Sequence, residues 1–198
     1  MNYIESQFGN PGGIIGHLVG LVMAYENRER NQRALSLLDI QPTDRILEIG
    51  FGPGWAIQQA GKLAVNGTVA GVDKSQTMVQ QANFRNRAKV NAGQVILRQG
   101  SANAISFDDN TCDKVYAVNS FHEWEDQTRG IQEARRVLVR GGALLIVEHP
   151  HGSVSEEDLQ AMQKECTGKL EEAGFIHVRF FLDHIQGRPA VAVRGIKP

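Results

Sequence analysis

The sequence contains few cysteines, no long hydrophobic run and no excess of charge of either sign. Its two cysteines, Cys112 and Cys166, lie far apart in the chain, which argues against a disulfide framework or a zinc site and favours a reducing cytoplasm. The longest apolar stretch, residues 14–24, is about half as long as a membrane span and contains a histidine and two glycines. The first residues lack the basic and apolar regions of a signal peptide. We therefore expect a cytoplasmic protein with no transmembrane segment.

The charges are nearly balanced, with 21 basic and 22 acidic residues and a formal net charge of −1. Such a balance creates no general attraction for nucleic acid or an anionic membrane. Arginines and lysines cluster at residues 28–33 and 85–89, but polar residues interrupt both clusters, which is typical of solvated helix faces. With 198 residues, 41% of them hydrophobic, the chain suits one compact domain. We expect a single domain over residues 1–198, with a helical cap at residues 1–40 and a core at residues 43–198.

Short apolar segments typical of buried strands alternate with segments typical of helices. Strands are expected at residues 45–49, 68–72, 94–98, 114–118, 143–147, 176–182 and 190–194. Helices are expected at residues 12–24, 26–39, 54–63, 75–90, 128–139 and 155–173, with Ser75 and Ser155 as N-caps. This alternation predicts an α/β fold with a doubly wound parallel sheet, and the last two strands should pair as an antiparallel hairpin. Ligands of such sheets bind outside the carboxyl ends of the strands.

A glycine-rich loop, Glu48-Ile49-Gly50-Phe51-Gly52-Pro53-Gly54, follows the first strand. Glycines at alternate positions let the backbone approach a ligand closely, although a plain turn is the alternative. The third glycine comes one residue earlier than in a dinucleotide fingerprint, and Trp55 stands where a pyrophosphate needs a small residue. The negative charge of Glu48 also favours a cation over a phosphate. The loop therefore predicts a cationic cofactor without phosphates.

An aspartate, Asp73, ends the second strand about 20 residues beyond the last glycine of the loop. At that place an acidic side chain can accept hydrogen bonds from both hydroxyls of a ribose. The alternative is that Asp73 and Ser75 only begin the next helix. Together with the glycine loop, ribose binding is the better interpretation.

Four features together resemble a class I S-adenosylmethionine-dependent methyltransferase. They are the Glu48–Gly54 loop, Asp73, the segment Phe107-Asp108-Asp109 before the fourth strand, and the turn Leu138-Val139-Arg140-Gly141-Gly142 into the fifth. The likeness covers residues 43–150 and is nearest to the small-molecule branch that includes ubiquinone and menaquinone biosynthesis C-methyltransferases. It implies a doubly wound seven-stranded sheet of order 3-2-1-4-5-7-6 with strand 7 antiparallel, preceded by N-terminal helices.

The resemblance also implies S-adenosyl-L-methionine as the cofactor and a small-molecule methyl acceptor. Gly50 and Gly52 would hold the methionine part, while Lys74 and Met78 would flank the adenine. Ser101, which stands where many relatives have an aspartate, would meet the adenine edge. The full set of implied cofactor-binding residues is Glu48, Gly50, Gly52, Gly54, Asp73, Lys74, Met78, Ser101, Ala102 and Asn119.

Candidates for the acceptor side follow the fourth and fifth strands. His122 could act as a general base, because the pKa of a histidine lies near the working pH, and Trp124 could form an apolar wall. A helix-starting segment with a packed tryptophan and a solvent-facing histidine would show the same pattern. His149 is expected to line the substrate site. No metal site is expected, because the histidine spacing matches no metal motif.

The N-terminal segment carries Gly12, Gly16 and Gly20 at intervals of four residues, so all three fall on one helix face. The segment is expected either to close as a lid over the cofactor, with His17 and Tyr25 near the acceptor, or to pack as an ordinary core helix.

Two other functions stay open at this stage. The lack of an obvious base also fits a non-catalytic module that binds S-adenosylmethionine. A nucleotide-dependent oxidoreductase is disfavoured by Glu48 and Trp55. Nucleic-acid methylation is disfavoured because the chain has no basic stripe and Asn119 is not followed by two prolines and an aromatic residue.

Overall fold

The computed structural model describes residues 28–150, 154–185 and 188–198. The helices are α1 (Arg28–Leu38), α2 (Trp55–Leu63), α3 (Gln76–Arg85), α4 (Arg87–Asn91), α5 (Gln127–Val137) and α6 (Glu156–Glu172). The strands are β1 (Arg45–Ile49), β2 (Thr68–Asp73), β3 (Val95–Gln99), β4 (Cys112–Val118), β5 (Leu138–Glu148), β6 (Ile176–Ile185) and β7 (Arg188–Ile196). A short 3₁₀ helix covers Phe121–Glu123. The expected helix at residues 12–24 lies outside the described residues, as do His17 and Tyr25.

The seven strands form one sheet in the order β3-β2-β1-β4-β5-β7-β6. Strands β1 to β5 pair in parallel. Strand β7 runs antiparallel to both of its neighbours, so that Ile146 lies opposite Val193 and β6 forms a hairpin with β7. The order and the antiparallel seventh strand are confirmed as predicted.

Alternate residues of the central strands face opposite sides of the sheet, and helices cover both sides. Ile46 and Tyr116 pack among side chains of α1, α2 and α3. Leu47 and Val115 pack among side chains of α5 and α6. Burial on both faces is the reason why these strands are almost uninterrupted apolar runs in the sequence.

The single helix expected at residues 75–90 is two helices, because it is interrupted at Asn86. The side-chain amide of Asn86 donates hydrogen bonds to the carbonyls of Ala82 (2.9 Å) and Gly54 (3.0 Å). This side chain therefore ties α3 to the glycine loop. A side chain that bonds backbone groups in this way competes with continued helix.

Residues 138–142, which were expected to form a turn between the preceding helix and the fifth strand, belong to the strand itself. Helix α5 ends at Val137 and β5 begins at once, so Gly141 lies within the strand and not at the end of the helix. Its φ is 78°, and its N–H donates to the carbonyl of Lys197 (2.8 Å). The C-terminal segment thus pairs with this part of the chain, a long-range contact that local sequence does not reveal.

Both predicted N-caps are confirmed. The Oγ of Ser75 accepts the N–H of Met78 (3.4 Å), and Ser155 forms a reciprocal capping box with Asp158. Over the described ranges, the helices are too short or too polar to cross a membrane.

Candidate functional site

A cavity lies at the carboxyl ends of β1, β2, β3 and β4, where the topology of the sheet leads us to expect it. It encloses about 780 Å³ of empty space, counted out to its open mouth. Its lining consists of Ile49, Gly50, Gly52, Val72, Asp73, Lys74, Met78, Gly100, Ser101, Ala102, Asn119, Ser120, Glu123, Trp124 and Glu125. Of the ten residues predicted to bind the cofactor, Glu48 and Gly54 do not belong to this lining, and the other eight do.

The three glycines of the loop are required for different structural reasons. Gly50 has φ 76°, and a Cβ at this position would lie 2.4 Å from the Cβ of Ser120. Gly54 has φ 77°, and a Cβ there would lie 2.6 Å from the Cβ of Ala82 in α3. A Cβ on Gly52 would meet no atom within 4 Å of the protein, although its φ is 52°. Gly50 and Gly54 therefore allow close packing, whereas Gly52 leaves open space on the cavity side.

Asp73 joins the loop to the start of α3. Its Oδ2 accepts the N–H of Gly52 (2.8 Å), and its Oδ1 accepts the N–H of Ser75 (2.9 Å). Burial raises the pKa of this carboxyl, and the two backbone hydrogen bonds oppose that change. Asp73 therefore helps to begin α3 and also lines the cavity, and its binding of a ribose stays a prediction. Each carboxylate oxygen retains a second lone pair for a ligand hydroxyl.

Glu48 lies beneath the loop and does not reach the cavity wall. The side chain is 2% exposed, and its Oε2 accepts the hydroxyl proton of Tyr116 (2.8 Å). Burial raises the pKa of the Glu48 carboxyl to about 8. Burial therefore favours the protonated form of this group, which differs from the negative charge assumed from the sequence. The acidic groups that face the cavity are Asp73, Glu123 and Glu125.

Asn119, directly after β4, has an unusual backbone conformation. Its φ is 49°, in the left-handed region, where asparagine is tolerated better than most residues. The N–H of Asn119 donates to the carbonyl of Val147 (2.8 Å), and its Oδ1 accepts the N–H of His149 (3.1 Å). The chain then turns to Ser120, whose Oγ donates to the carbonyl of Ile49 (2.7 Å). Two neighbouring strand ends are thereby locked together at the floor of the cavity.

Residues Glu123, Trp124 and Glu125 form one wall of the cavity, which we call the post-β4 wall. The carboxylate of Glu123 pairs with the Nζ of Lys74 (3.0 Å), across from the end of β2. The edge of the Trp124 indole packs against α5 at Gly130, where an added Cβ would lie 2.3 Å from the ring. The Nε1 of Trp124 is buried and has no hydrogen-bond partner among the described residues. The wall thus combines carboxylates with an aromatic face and an unused donor.

The predicted base, His122, lies next to this wall but does not line the cavity. Its Nδ1 is 2.6 Å from the Oε2 of Glu148, and its Nε2 is 3.7 Å from the Oε1 of Glu123. The hydrogen bond to Glu148 raises the pKa of His122 above its usual value, against the opposing effect of burial. His149 is buried beside Asn119 and is not part of the lining, whereas Trp124 is.

Sequence reasoning missed the role of Glu148, which no motif marks. A signal was present: a single carboxylate directly follows the apolar run at residues 143–147, and a buried charge needs partners. It also did not assign Glu123 and Glu125 to the cavity. Within the described ranges, no group of three or more His, Cys, Asp or Glu residues is arranged to hold a metal ion.

A family profile described as a methyltransferase domain matches residues 47–146. The chain is 32% identical over 182 residues to the uncharacterized methyltransferase YdaC of Bacillus subtilis, covering 91% of this chain and 98% of that protein. It is 29% identical to a demethylmenaquinone methyltransferase of Bacillus cereus over 59% of this chain and 49% of that protein. It is 32% identical to the 27-O-demethylrifamycin SV methyltransferase of Amycolatopsis mediterranei over 61% of this chain and 46% of that protein. The match spans about half the length of the last two relatives.

Solved structures share the fold. A methyltransferase of Haloferax volcanii, in complex with the activator Trm112, superposes with a TM-score of 0.75 and 17% identity, covering 100% of this chain and 99% of that one. A SAM-dependent methyltransferase of Aquifex aeolicus superposes with a TM-score of 0.69 and 21% identity, covering 85% and 89%.

Proposed function

The chain belongs to the class I S-adenosylmethionine-dependent methyltransferases, and from that premise we propose that its methyl acceptor is a small molecule. S-adenosylmethionine, when bound, would supply a methyl group activated by its sulfonium to a nucleophilic atom of the acceptor. The protein has to align the two reactants, exclude water and, where needed, take a proton from the acceptor.

The observation that carries the proposal is the charge of the cavity lining. Three carboxylates, Asp73, Glu123 and Glu125, face the cavity, whereas Lys74 is the one cationic side chain among the described lining residues. Glu123 is already paired with that lysine. A lining with more carboxylates than cations does not favour the phosphates of nucleic acid, which usually meet lysine and arginine at a protein surface.

On the cofactor side, we assign Asp73 to the ribose hydroxyls and Gly50, Gly52 and Asn119 to the methionine part. Lys74 and Met78 flank the adenine, with Ser101 and Ala102 at its edge. Glu48 supports the loop from beneath through Tyr116, and Gly54 supports it by packing on α3. These two residues act on the cofactor through the loop and not by contact.

On the acceptor side, we assign Trp124 to the post-β4 wall, where its indole offers an apolar face to the acceptor. His122 is the proposed general base, because its ring lies next to the post-β4 wall and Glu148 orients it through Nδ1. His149, His17 and Tyr25 are proposed to complete the substrate site, the last two from the cap at residues 1–40.

The relatives support a small acceptor by their names alone. Two of them are named for demethylmenaquinone and for 27-O-demethylrifamycin SV, both small molecules. The Haloferax volcanii neighbour, in contrast, is complexed with a protein activator. That protein shows only the same fold as this chain, so its partner does not extend to this chain.

The test is methyl transfer from S-adenosylmethionine that carries an isotope label in its methyl group. The purified protein is incubated with separate pools of phenols and quinols, amines, RNA and protein, and label in each product is counted. Label in a small-molecule pool, and in neither macromolecular pool, is the expected result. Label in RNA or protein alone would overturn the proposal. Tight binding of S-adenosylhomocysteine with no transfer to any pool would favour the non-catalytic binding module.

The role of His122 is tested with the acceptor found in that screen. The variant His122→Gln should lower kcat by about 100-fold and leave the Kd for S-adenosylhomocysteine within twofold. His184→Gln, in β6 and outside the cavity lining, is the control and should retain kcat. An unchanged kcat for His122→Gln would remove His122 from catalysis.

A further inference from the structure

A buried carboxylate, Glu148, ends the apolar strand β5 and does not line the cavity. It is 7% exposed, and its two oxygens have different partners. Oε1 accepts the backbone N–H of Phe121 (2.8 Å), and Oε2 lies 2.6 Å from the Nδ1 of His122. One side chain thus holds two consecutive residues of the segment that follows β4.

That segment has little internal structure of its own. Its 3₁₀ helix is three residues long, with hydrogen bonds from the N–H of Glu123 to Ser120 (3.1 Å) and from the N–H of Trp124 to Phe121 (3.2 Å). A single turn of this kind does not persist without tertiary contacts. Its position therefore depends on the groups that anchor it.

Contacts lead from the anchored residues to the cavity. The rings of Phe121 and Trp124 meet edge to face, with centroids 5.0 Å apart and planes at 73°. Glu123, Trp124 and Glu125 follow directly in the chain and form the post-β4 wall. A shift of Phe121 or His122 would consequently move the wall.

We propose that Glu148 is a positioning residue that sets the post-β4 wall through Phe121 and His122, without touching cofactor or acceptor. The proposal is based on two contacts, from one buried carboxylate to the adjacent residues Phe121 and His122. The next three residues in the chain line the cavity. The assignment of the wall to the acceptor rests on the proposed function. The position of the wall does not, and S-adenosylhomocysteine can probe it because Glu123 of the wall pairs with Lys74, which is assigned to the adenine.

Glu133 provides a matched control. It is also buried, at 6% exposure, and its Oε2 accepts a backbone N–H, that of Ile105 (2.9 Å). Its carboxylate also pairs with a cation, Arg136. However, Ile105 does not line the cavity. Replacing Glu133 therefore removes an anchor of the same kind whose partners, Ile105 and Arg136, lie outside the wall.

The experiment compares Glu148→Gln, Glu148→Ala and Glu133→Gln with the wild type. Urea unfolding gives the stability of each, hydrogen exchange follows the peptide covering residues 119–126, and calorimetry gives the Kd for S-adenosylhomocysteine. Glu148→Gln keeps an oxygen for the N–H of Phe121 but loses the charge beside His122, so it should have the milder effect. Should the alanine variant not fold, the isosteric glutamine variant still decides the outcome.

We expect faster exchange in residues 119–126 and a Kd raised about threefold in Glu148→Gln and about tenfold in Glu148→Ala, the size of one lost charge-assisted hydrogen bond. Glu133→Gln should be destabilised to a similar degree with its Kd within twofold of the wild type. A wild-type Kd and wild-type exchange in both folded Glu148 variants would overturn the proposal, as would an equal loss of affinity in Glu133→Gln. None of these outcomes depends on which acceptor the methyl-transfer screen finds.

Discussion

At the scale of single residues, the loop after β1 shows that glycine serves several purposes in one motif. Gly50 combines a left-handed φ with a close approach to Ser120, and both features exclude a side chain. Ser120 in turn donates to the carbonyl of Ile49, so the strand end and the segment after β4 touch at this point. A substitution at Gly50 would therefore disturb both the backbone of the loop and the floor of the cavity.

Replacing Gly50 with alanine is expected to lower stability and cofactor affinity. The left-handed backbone costs alanine about 1–2 kcal/mol, and the clash with Ser120 adds to this. Gly93→Ala is the control, since Gly93 has φ 73° but open space around its missing Cβ. Gly93→Ala should lose only the backbone cost of about 1–2 kcal/mol in urea unfolding and keep its Kd for S-adenosylhomocysteine. Equal losses of stability and unchanged affinity in both variants would contradict this account of Gly50.

The buried Glu48 makes stability depend on pH in a direction that is unusual for a carboxyl group. Its pKa rises from 4.5 in the unfolded chain to about 8 in the folded protein. The folded state therefore binds the proton more tightly, and the stabilisation that this brings is complete below pH 4.5 and is lost as the pH rises to about 8. The limiting slope is about 1.4 kcal/mol per pH unit.

Glu48→Gln should remove this dependence, because the amide accepts the Tyr116 hydroxyl proton but does not ionise. Urea unfolding at pH 5, 6, 7 and 8 gives the free energy of unfolding of both proteins. As the pH rises, the wild type should lose about 1 kcal/mol per pH unit relative to the variant. In Glu133, hydrogen bonds from Arg136 lower the carboxyl pKa. The difference in free energy of unfolding between wild type and Glu133→Gln should therefore stay constant from pH 5 to pH 8. A constant difference between wild type and Glu48→Gln would refute the role given to Glu48.

At the scale of secondary-structure elements, the contact between α5 and the post-β4 wall is the one that shapes the cavity. Trp124 packs so closely on α5 that only glycine fits at position 130. The same helix packs Ile131, Ala134 and Val137 into the core beside the sheet. Because α5 packs on both the sheet and Trp124, it fixes the position of this side chain relative to the sheet.

Gly130→Ala should reverse the usual effect of alanine in a helix. Alanine is normally favoured over glycine by about 1 kcal/mol, but here its Cβ would push the Trp124 ring out of place. Gly168→Ala in α6 is the control, because no atom lies within 4 Å of the missing Cβ. Thermal unfolding should show that Gly168→Ala stabilises, whereas Gly130→Ala destabilises and weakens binding of S-adenosylhomocysteine. A stabilised Gly130→Ala with normal affinity would show that the contact at α5 does not position Trp124.

At the scale of the whole molecule, four strand ends contribute to one cavity, so ligand binding is linked to folding of the entire sheet. A ligand at 100 times its Kd stabilises the folded state by about 2.7 kcal/mol. For a protein of this size, each kcal/mol corresponds to about 2–4 °C in Tm.

S-adenosylhomocysteine at that concentration should therefore raise Tm by roughly 5–10 °C. NAD at the same concentration should leave Tm unchanged, because the loop has a third glycine one residue early and Trp55 at the start of α2. Asp73→Ala is the matching variant and should require a higher concentration of S-adenosylhomocysteine for the same shift. Stabilisation by NAD alone would restore the oxidoreductase interpretation.

Local patterns in the sequence were sufficient for the elements and their order. The apolar runs of β1, β4 and β5, the caps Ser75 and Ser155, and the spacing of the loop glycines all follow from short-range physical chemistry. The resemblance of these motifs to a known family then supplied the sheet order and the cofactor. Eight of the ten residues named for that cofactor lie around the cavity.

What only the tertiary structure decided are the contacts between segments that are distant in the chain. The contact of Glu148 with Phe121 and His122, the packing of Trp124 on Gly130 and the left-handed Asn119 arise where strand ends converge, and no periodicity encodes such convergence. Burial also changes the expected charge of Glu48. The motif identifies this residue, but the surrounding protein sets its pKa. Sequence by itself therefore determined which chemistry the chain can bring to the cavity, and the three-dimensional packing decided which side chains reach it and in which protonation state.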